Sequence, residues 1–383
     1  MKPPVLAAIA ALAPAVLGFA AATPAQAQIR IGAILSISGP AAAMGVGYKG
    51  AFDVLPKEVG GKRVEYIIRD DGTDAQNAYK IAQKLIDEDH VDAIIGPSLY
   101  ASDVAVQPLA NAAHVPMVAM APLVPEPAKF PYSFAVAQPL SLMVSVVFHH
   151  MQAAGVKTVG YIGFADGWGD QVHAATVAAA AATGIRLVAD ERYARSDTTV
   201  QAQALRLITK RPDAVMMGNS ATPAVLPVAA LRRLGYRGGI YGNHGIVSPA
   251  FIRVGGAAVN GVIADTSPVA VYDQLADGNP IKPVATAFMK AYTAKFGPAS
   301  VNPFAGYSHD AMLLIAHAIP AALQKGAPGT DAFRAALRDA MEATHDLVGV
   351  SGVYDMSTSN HNGQDARAAV LVEVKNRKWT AIH

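Results

Sequence analysis

The chain has 383 residues, 52% hydrophobic and 16% charged, with a formal net charge of +2. A prior of about one domain per 150 residues allows two or three domains, and such high hydrophobicity with so little net charge excludes a disordered chain. The 31 basic and 29 acidic residues give no basic excess, so no nucleic-acid partner is expected, and the absence of cysteine excludes disulfides, thiol chemistry and cysteine-ligated metals.

Residues 1–27 are predicted to be a signal peptide that is removed on export. Lys2 gives a positive start, an apolar run follows from about Val5 to Ala22, and Ala25-Gln26-Ala27 is a small-x-small cleavage signal. A membrane anchor is the alternative, but the run is near the lower length limit for a spanning helix and contains a proline and a glycine. No cysteine is available for a lipid anchor. We therefore expect cleavage after Ala27 and a free protein in a bacterial periplasm.

Strands and helices alternate in the first part of the mature chain. Short apolar runs predict strands, and apolar residues at helical spacing predict helices. Predicted strands are Ile29–Ile34, Val64–Arg69, Val91–Ile95 and Val115–Ala119, and predicted helices are Ala75–Asp87 and Val104–Ala113. The extended stretch Pro131–Ala137, followed by a new helix at about Pro139–Ala154, indicates a crossing between two lobes.

The same alternation resumes after this crossing. Predicted strands are Val156–Gly163, Arg186–Tyr193, Ala214–Met217, Ile240–Tyr241 and Val262–Ala264, and predicted helices are Gln171–Thr183, Val200–Thr209 and Val225–Leu234. Three late helices are expected to complete the first lobe, and two late strands the second. These are the helices at about Pro283–Phe296, Tyr307–Gln324 and Thr330–Thr344, and the strands at Gly352–Tyr354 and Ala368–Val374.

This alternation predicts an α/β fold of two doubly wound, parallel-sheet lobes joined by several crossings. The N-terminal lobe is predicted to comprise residues 28–138 and 268–348. The C-terminal lobe is predicted to comprise residues 139–267 and 349–383.

Ligands of open parallel sheets bind beyond the carboxyl ends of the strands, which makes the loops there the candidate site. Five loops stand out: 35–45, 96–102, 120–125, 164–169 and 242–245. The first is rich in small residues and leads into a helix, whose N-terminus favours anions, with Ser36 and Ser38 as possible hydroxyl donors. A helix cap with a tight turn is the equally weighted alternative.

The motifs of common enzymes are missing or misplaced. Gly45-x-Gly47-x-x-Gly50 followed by Asp70 matches a dinucleotide fingerprint in spelling, but about ten residues separate it from the preceding strand, so we reject it. There is no G-x-S-x-G elbow and no H-E-x-x-H motif. The adjacent residues His149 and His150 would point to different sides of a helix. We therefore expect binding without catalysis, and no cofactor or metal.

Several segments, in order along the chain, resemble the branched-chain amino acid type of periplasmic solute-binding protein, the receptors of ABC importers. The segments are IRIGAILSISGPAAAMGVGYKGAFDV, RDDGTDAQNAYKIAQKLI, VDAIIGPS, VPMVAMAPLVPE, ADGWGDQ, GNHGIVSPAF and GVIADTSPVAV. The resemblance covers essentially the whole mature chain. It implies a type I periplasmic binding protein fold with a multi-crossing hinge, a small-molecule ligand, a membrane permease as partner, and no enzymatic activity. A monomer is expected.

The resemblance also implies ligand contacts at matching positions. In such proteins the loop after the first strand faces the ligand, the loop at 96–101 contacts a ligand carboxylate, and an aromatic residue stacks on the ligand where Trp168 stands. The predicted ligand-binding residues are Ser36, Ser38, Ser98, Leu99, Tyr100, Ala121, Pro122, Leu123, Trp168, Asn219, Ser220 and His244.

Two departures from the family pattern change the predicted ligand. Amino-acid binders of this type carry A-T-x-P where this chain has Leu123 at the Thr position, and G-x-[ED]-G where it has His244 at the acidic position. An ammonium buried without a carboxylate partner is strongly disfavoured, whereas His244 can pair with an anion or a phenol. With Tyr48 and Phe304 as further aromatic candidates, we expect an aromatic carboxylate such as a benzoate or a hydroxycinnamate.

Other functions remain open at this point. The chain could bind branched-chain amino acids or short amides, or serve as a ligand-sensing domain. A hydrolase on the same fold is disfavoured because no triad signature is present.

Overall fold

The computed structural model describes Met1 and residues 28–382, so the predicted signal peptide and its cleavage after Ala27 lie outside the described residues. The first half of the chain supplies one sheet and three helices. They are β1 (Ile29–Leu35), α1 (Ala42–Ala51), β2 (Glu58–Val59), β3 (Lys62–Asp70), α2 (Ala75–Asp87), β4 (Ala93–Ile95), α3 (Tyr100–Ala112), β5 (Met117–Ala119) and β6 (Ser133–Ala135). The strand order is β2-β3-β1-β4-β5-β6, parallel throughout except for the β2–β3 pair.

The rest of the chain supplies a second sheet and most of the helices. The elements are α4 (Leu140–Ala153), β7 (Thr158–Phe164), α5 (Gly167–Thr183), β8 (Arg186–Tyr193), α6 (Gln201–Thr209), β9 (Ala214–Gly218), α7 (Val225–Arg233), β10 (Gly239–Gly242), α8 (Pro249–Gly255), β11 (Val262–Thr266), α9 (Ile281–Phe296), α10 (Pro303–Leu323), α11 (Asp331–Glu342), β12 (Leu347–Val348), β13 (Val353–Tyr354), β14 (Val370–Lys375) and β15 (Lys378–Ala381).

The second sheet has the order β15-β14-β11-β10-β9-β7-β8, and its five central and outer strands from β11 to β8 are parallel. Strands β14 and β15 add an antiparallel edge. Central strands such as β9 are buried along their whole length, as parallel strands covered by helices on both faces must be. The two-lobed α/β prediction is therefore confirmed.

Local signals explain where several elements begin and end. The Asp74 carboxylate accepts a hydrogen bond from the Asn77 N–H and caps α2, and α5 ends at Gly184, which is in the left-handed conformation. Such caps satisfy backbone groups that the helix itself leaves unpaired.

Some boundaries differ from the sequence prediction. Helices α3, α5 and α10 each begin about one turn earlier than their apolar spacing indicates. The stretch 131–137, predicted only as an extended crossing, contains the edge strand β6. Helix α9, expected to complete the first lobe, buries residues such as Phe288 and Met289 in the hydrophobic cluster around the second sheet. Helices α10 and α11 do pack on the first sheet.

One buried carboxylate on α10 ties the crossings between the lobes together. Asp310 accepts hydrogen bonds from Val350 N (2.8 Å), Ser351 N (2.7 Å) and the Tyr354 hydroxyl (2.8 Å). Helix α10 thereby anchors the segment that returns the chain to the second sheet. Within the described part of the chain, none of the helices is long and apolar enough to cross a membrane.

Candidate ligand-binding cleft between the lobes

A cavity of about 210 Å³ lies between the lobes, beyond the carboxyl ends of the central strands. The first lobe contributes Met44, Tyr48, Thr73, Ala75, Ser98, Leu99, Tyr100, Ala101, Ser102, Ala121 and Pro122, and the second contributes Asp166, Trp168, Arg195, Ser220, His244 and Gly245. The lobes meet beside it, since a Cβ added at Gly167 would lie 3.7 Å from Tyr100 Cε1. This position matches the general rule for open α/β sheets.

Most of the predicted ligand-binding residues line this cavity. They are Ser98, Leu99, Tyr100, Ala121, Pro122, Trp168, Ser220 and His244. Ser36, Ser38, Leu123 and Asn219 lie outside its lining. Leu123 packs into the hydrophobic cluster beside α2 and α3, and Asn219 is fully buried beneath the second-lobe wall.

Ser36 shapes the first-lobe wall from behind. Its N–H donates to Ser98 Oγ (2.9 Å), and its hydroxyl donates to Asp71 Oδ1 (2.7 Å). Asp71 also accepts from the Ser102 hydroxyl (3.1 Å). Two serines of the cavity wall, Ser98 and Ser102, are therefore held in place by residues behind them.

Asp70 holds the first loop in the same way. Its Oδ1 accepts from the N–H groups of Ile37 (2.9 Å), Ser38 (3.2 Å) and Gly72 (2.9 Å). Burial is the largest single effect and raises the pKa of Asp70, but the hydrogen bonds together outweigh it, favour the ionised carboxylate and keep this pKa below its usual value. The Asp70-Asp71 pair is thus the support of the loop.

The three glycines of the rejected nucleotide motif lie on α1 and allow close packing. A Cβ at Gly45 would lie 2.1 Å from Ser36 O, one at Gly47 would lie 2.6 Å from Asn302 Cγ, and one at Gly50 would lie 2.7 Å from the Tyr292 hydroxyl. Their absent side chains let α1 approach the first loop and the late helices.

The N-terminus of α3 opens on the cavity. Among the described residues, no side chain caps this helix. Its first backbone hydrogen bond runs from Asp103 N to the carbonyl oxygen of the N-cap residue, Leu99 (2.8 Å). The N–H groups of the three residues before Asp103 lie ahead of this first helical bond. All three residues line the cavity: Tyr100, Ala101 and Ser102. Free N–H groups at a helix N-terminus bind anions, so this wall favours a ligand carboxylate.

Asp103 lies in the same first turn and is fully buried. Burial, with a smaller repulsion from Asp71, raises the pKa of its carboxyl well above the usual value. A carboxyl whose pKa is raised is less readily ionised, so it opposes an anion at this helix N-terminus less than an ordinary aspartate does.

The second-lobe wall carries an ion pair that the sequence analysis missed. Arg195 Nε donates to Asp166 Oδ2 (2.5 Å), and Arg195 Nη1 donates to Ser220 Oγ (3.2 Å). The guanidinium lies 4.1 Å from the Phe164 ring centroid. Asp166 also caps α5 by accepting from Gly169 N (3.0 Å). Arg195 is thus a positioned cation with further N–H donors available to a ligand.

Arg195 follows β8, and the loop after this strand was not among the five singled out from the sequence. Asp166 lies in one of those loops, but its Asp-x-x-Gly spacing was not interpreted as a helix cap. Their positions after the carboxyl ends of strands are a signal that would have made both residues candidates, without distinguishing Arg195 from a surface arginine.

Trp168 and His244 form the rest of this wall. Their rings are perpendicular, with centroids 5.8 Å apart. His244 begins a single 3₁₀ turn that Asn243 caps, because Asn243 Oδ1 accepts from Gly245 N (2.9 Å). Burial lowers the pKa of His244 to about 3, so its imidazole is neutral at physiological pH.

Comparisons with known proteins agree with this geometry. The family model described as periplasmic binding protein matches residues 28–378. An extracellular ligand-binding receptor from Rhodopseudomonas palustris is 38% identical with a TM-score of 0.91, over 93% of this chain and 99% of that one. None of the curated proteins matches the chain.

More distant structures share the fold alone. The leucine binding protein LivK from Thermotoga maritima is 22% identical, with a TM-score of 0.79 over 93% of this chain and 98% of that one. The branched-chain amino acid transporter substrate binding protein LivJ from Streptococcus pneumoniae, solved with isoleucine, is 22% identical, with a TM-score of 0.77 over 92% of this chain and 98% of that one.

Proposed function

The chain belongs to the periplasmic binding protein family, and on that premise we propose that it captures a small aromatic carboxylate between its lobes and delivers it to the permease of an ABC importer. The observation that carries the proposal is the uncapped N-terminus of α3, which opens on the cavity. A carboxylate fits this wall because the free N–H groups and the helix dipole both favour negative charge.

The remainder of the cavity supports an aromatic body for the ligand. Tyr48 and Tyr100 from the first lobe and Trp168 from the second line it. Flat apolar surfaces of this kind favour ring stacking or edge contacts, which add to the burial of apolar area. A cavity of about 210 Å³ suits a ligand of one ring with a short substituent.

Capture without catalysis is the second part of the proposal. A general base works best when its pKa lies near the operating pH, and His244, the imidazole in the cavity wall, has a pKa of about 3. Two serines of the cavity wall are hydrogen-bonded to other groups of the protein. Ser98 Oγ accepts from Ser36 N, and Ser220 Oγ accepts from Arg195 Nη1. This arrangement holds a ligand and offers no activated nucleophile.

Delivery follows from closure of the lobes. The anion-binding wall belongs to the first lobe and Arg195 to the second, so a carboxylate that contacts both is held only when the lobes meet. Ligand binding then favours the closed form by the difference in its affinity for the two forms. We infer that the permease recognises that closed form.

Capture of an amino acid is the second candidate, and Asp166 is the observation that favours it. This carboxylate lies in the cavity wall, where a ligand ammonium could approach it. Its two oxygens already accept from Gly169 N and Arg195 Nε, so its charge is largely matched within the protein. We therefore rank the amino acid below the aromatic acid.

Calorimetric titration of the mature protein with benzoate, 4-hydroxybenzoate, 4-hydroxycinnamate and leucine tests the proposal. We expect at least one aromatic acid to bind with a dissociation constant of about micromolar or tighter, and leucine to bind far more weakly. Tight leucine binding with no binding of any aromatic acid would overturn the aromatic-acid assignment and favour the second candidate.

A further inference from the structure

Two buried nitrogens in the cavity wall have no hydrogen-bond partner among the described residues. They are Nε1 of Trp168 and Nδ1 of His244. The two side chains are 6% and 2% exposed, their rings are perpendicular at 5.8 Å, and both line the cavity. Buried polar groups in native proteins are nearly always paired, so an unpaired donor beside an unpaired imidazole nitrogen points to a missing partner.

The neighbouring groups in residues 28–382 do not pair with these nitrogens. The rings of Phe304 and Tyr307 pack against His244 with centroids 6.2 Å and 5.9 Å away. The Tyr307 hydroxyl already donates to Gln138 Oε1 (2.5 Å). Both side chains line the cavity, so a group bound there is the partner that the described residues leave available.

The chemistry of the two nitrogens defines the missing partner. Indole Nε1–H can only donate, whereas a neutral imidazole presents one N–H and one lone pair. A hydroxyl group matches both, because its oxygen accepts one hydrogen bond while its proton is donated to a second partner. A bare ring edge would leave both nitrogens unpaired, and an ether oxygen would pair both only if Nδ1 of His244 carries the proton, whereas a hydroxyl pairs both nitrogens in either tautomer.

We propose that the ligand carries an uncharged hydroxyl at the end of its ring remote from the carboxylate, and that Trp168 and His244 together bind this hydroxyl. This inference rests on the proposed function, in which the carboxylate lies at the N-terminus of α3. The cavity then recognises hydroxy-substituted aromatic acids in preference to the unsubstituted parents, with the ring held between a wall for charge and a wall for the hydroxyl.

A second carboxylate in place of the hydroxyl is disfavoured. Of the described residues, the one arginine or lysine that lines the cavity, Arg195, already serves Asp166 and, in the proposed function, the carboxylate at the N-terminus of α3, and burial holds His244 in its neutral form. A second buried anion beside Trp168 and His244 would have no further cation to pair with, and an unpaired buried charge is far more costly than a hydrogen-bonded hydroxyl.

Titration with matched ligands tests this inference. The pairs are benzoate with 4-hydroxybenzoate, and cinnamate with 4-hydroxycinnamate; the two lengths cover different spacings between the walls. Terephthalate replaces the hydroxyl by a carboxylate. With the wild-type protein we expect at least one hydroxylated member to bind about tenfold or more tightly than its parent, and terephthalate to bind more weakly than 4-hydroxybenzoate.

Trp168→Phe removes the indole donor and keeps an aromatic ring. It should reduce the hydroxyl preference to about threefold or less while binding of the parent acids changes little. The chain contains only one other tryptophan, Trp379, whose indole N–H donates to Ser248 O outside the cavity. Trp379→Phe is therefore the matched control, and it should retain the full preference. Thermal unfolding verifies that both variants fold.

Each outcome separates the inference from the proposed function. Equal affinity for the hydroxylated and parent acids overturns the inference and leaves capture of aromatic acids standing. Tightest binding of terephthalate, or a hydroxyl preference that Trp168→Phe leaves intact, also overturns it. Binding of none of the aromatic acids overturns the proposed function and the inference together.

Discussion

Arg195 is the side chain through which the second lobe can hold a ligand anion. We expect Arg195→Gln to weaken aromatic-acid binding about 10- to 100-fold, because a hydrogen bond to a charged group contributes about 1.5–3 kcal/mol. Arg206→Gln is the matched control, since Arg206 lies on α6, the helix after β8, pairs with Glu191 and has a side chain 59% exposed. Calorimetric titration measures both. Equal affinities of the two variants and the wild type would remove Arg195 from the site.

His244 links the cavity wall to the stability of the protein at low pH. Burial lowers its pKa from 6.5 to about 3, so between these values the unfolded chain binds a proton that the folded chain does not. The free energy of unfolding contributed by His244 is therefore present above pH 6.5 and falls by about 1.4 kcal/mol per pH unit below it.

The His244→Gln variant lacks this proton linkage. Denaturant unfolding at several pH values from neutral to acidic should give a steeper loss of stability for the wild type than for the variant, with the difference growing as the pH falls. Parallel pH profiles of the two proteins would contradict a buried neutral imidazole.

The pH dependence of stability that comes from Asp103 is opposite to that from His244, because Asp103 lowers the free energy of unfolding as the pH rises. Its pKa is raised in the folded chain, so between the unfolded and the folded pKa the folded chain holds a proton that the unfolded chain has released, and Asp103 opposes folding increasingly as the pH rises through that range. Asp103→Asn imitates the protonated form. The unfolding free energy of the variant relative to that of the wild type should be lowest near the ordinary carboxyl pKa of 3.8 and should rise with pH, as denaturant titrations at about pH 4 and about pH 8 would show.

The residues of the site divide into those that a sequence can reveal and those that it cannot. Ser98, Tyr100, Trp168 and His244 follow strands in recognisable loops, and the structure places them around one cavity. Arg195 also follows a strand, but nothing in its local sequence distinguishes it from a surface arginine. Its role depends on Asp166 and Phe164, which the fold brings to it from another loop.

At the scale of elements, apolar spacing predicted where the helices lie along the chain but not where their first turns begin. Helix α3 starts at Tyr100 and α5 at Gly167, each about one turn before the predicted start. Periodicity identifies the face that packs on a sheet, whereas the first turns of these helices face the cavity and need no apolar stripe. The part of each helix that sequence periodicity missed is thus the part that forms the site.

Helix α1 depends on close packing at its glycines, and Gly45 is the strictest of them. A Cβ there would lie 2.1 Å from Ser36 O and 2.7 Å from Ile37 Cα, and backbone atoms cannot rotate away as side chains can. Gly45→Ala should therefore destabilise the protein by about 1–3 kcal/mol or more, although alanine favours a helix over glycine by about 1 kcal/mol.

Gly278→Ala is the control for that substitution, because a Cβ at Gly278 meets no atom within 4 Å. Denaturant unfolding should show a large loss of stability for the first variant and little change for the second. Similar stabilities of the two variants would show that α1 can move away from the first loop without cost.

At the scale of the whole molecule, function requires the lobes to move as units about the crossings. The absence of cysteine allows two spin labels to be placed uniquely at introduced cysteines. Val46 on α1 and Val254 on α8 are 65% and 57% exposed, and their helices line a groove that separates the lobes. The distance between labels at Val46→Cys and Val254→Cys therefore reports on the arrangement of the lobes.

We expect double electron–electron resonance on this pair of labels to show more than one inter-label distance without ligand. With a saturating aromatic acid it should show one narrow distance distribution. A shift from about 1% to about 99% closed would require about 10⁴-fold tighter binding to the closed form, so a ligand that contacts a single lobe cannot drive it. Labels at Val177→Cys and Leu205→Cys, both within the second lobe, should keep one distance throughout. If the inter-lobe distances are identical with and without bound ligand, contacts to Arg195 and to the N-terminus of α3 do not couple binding to closure.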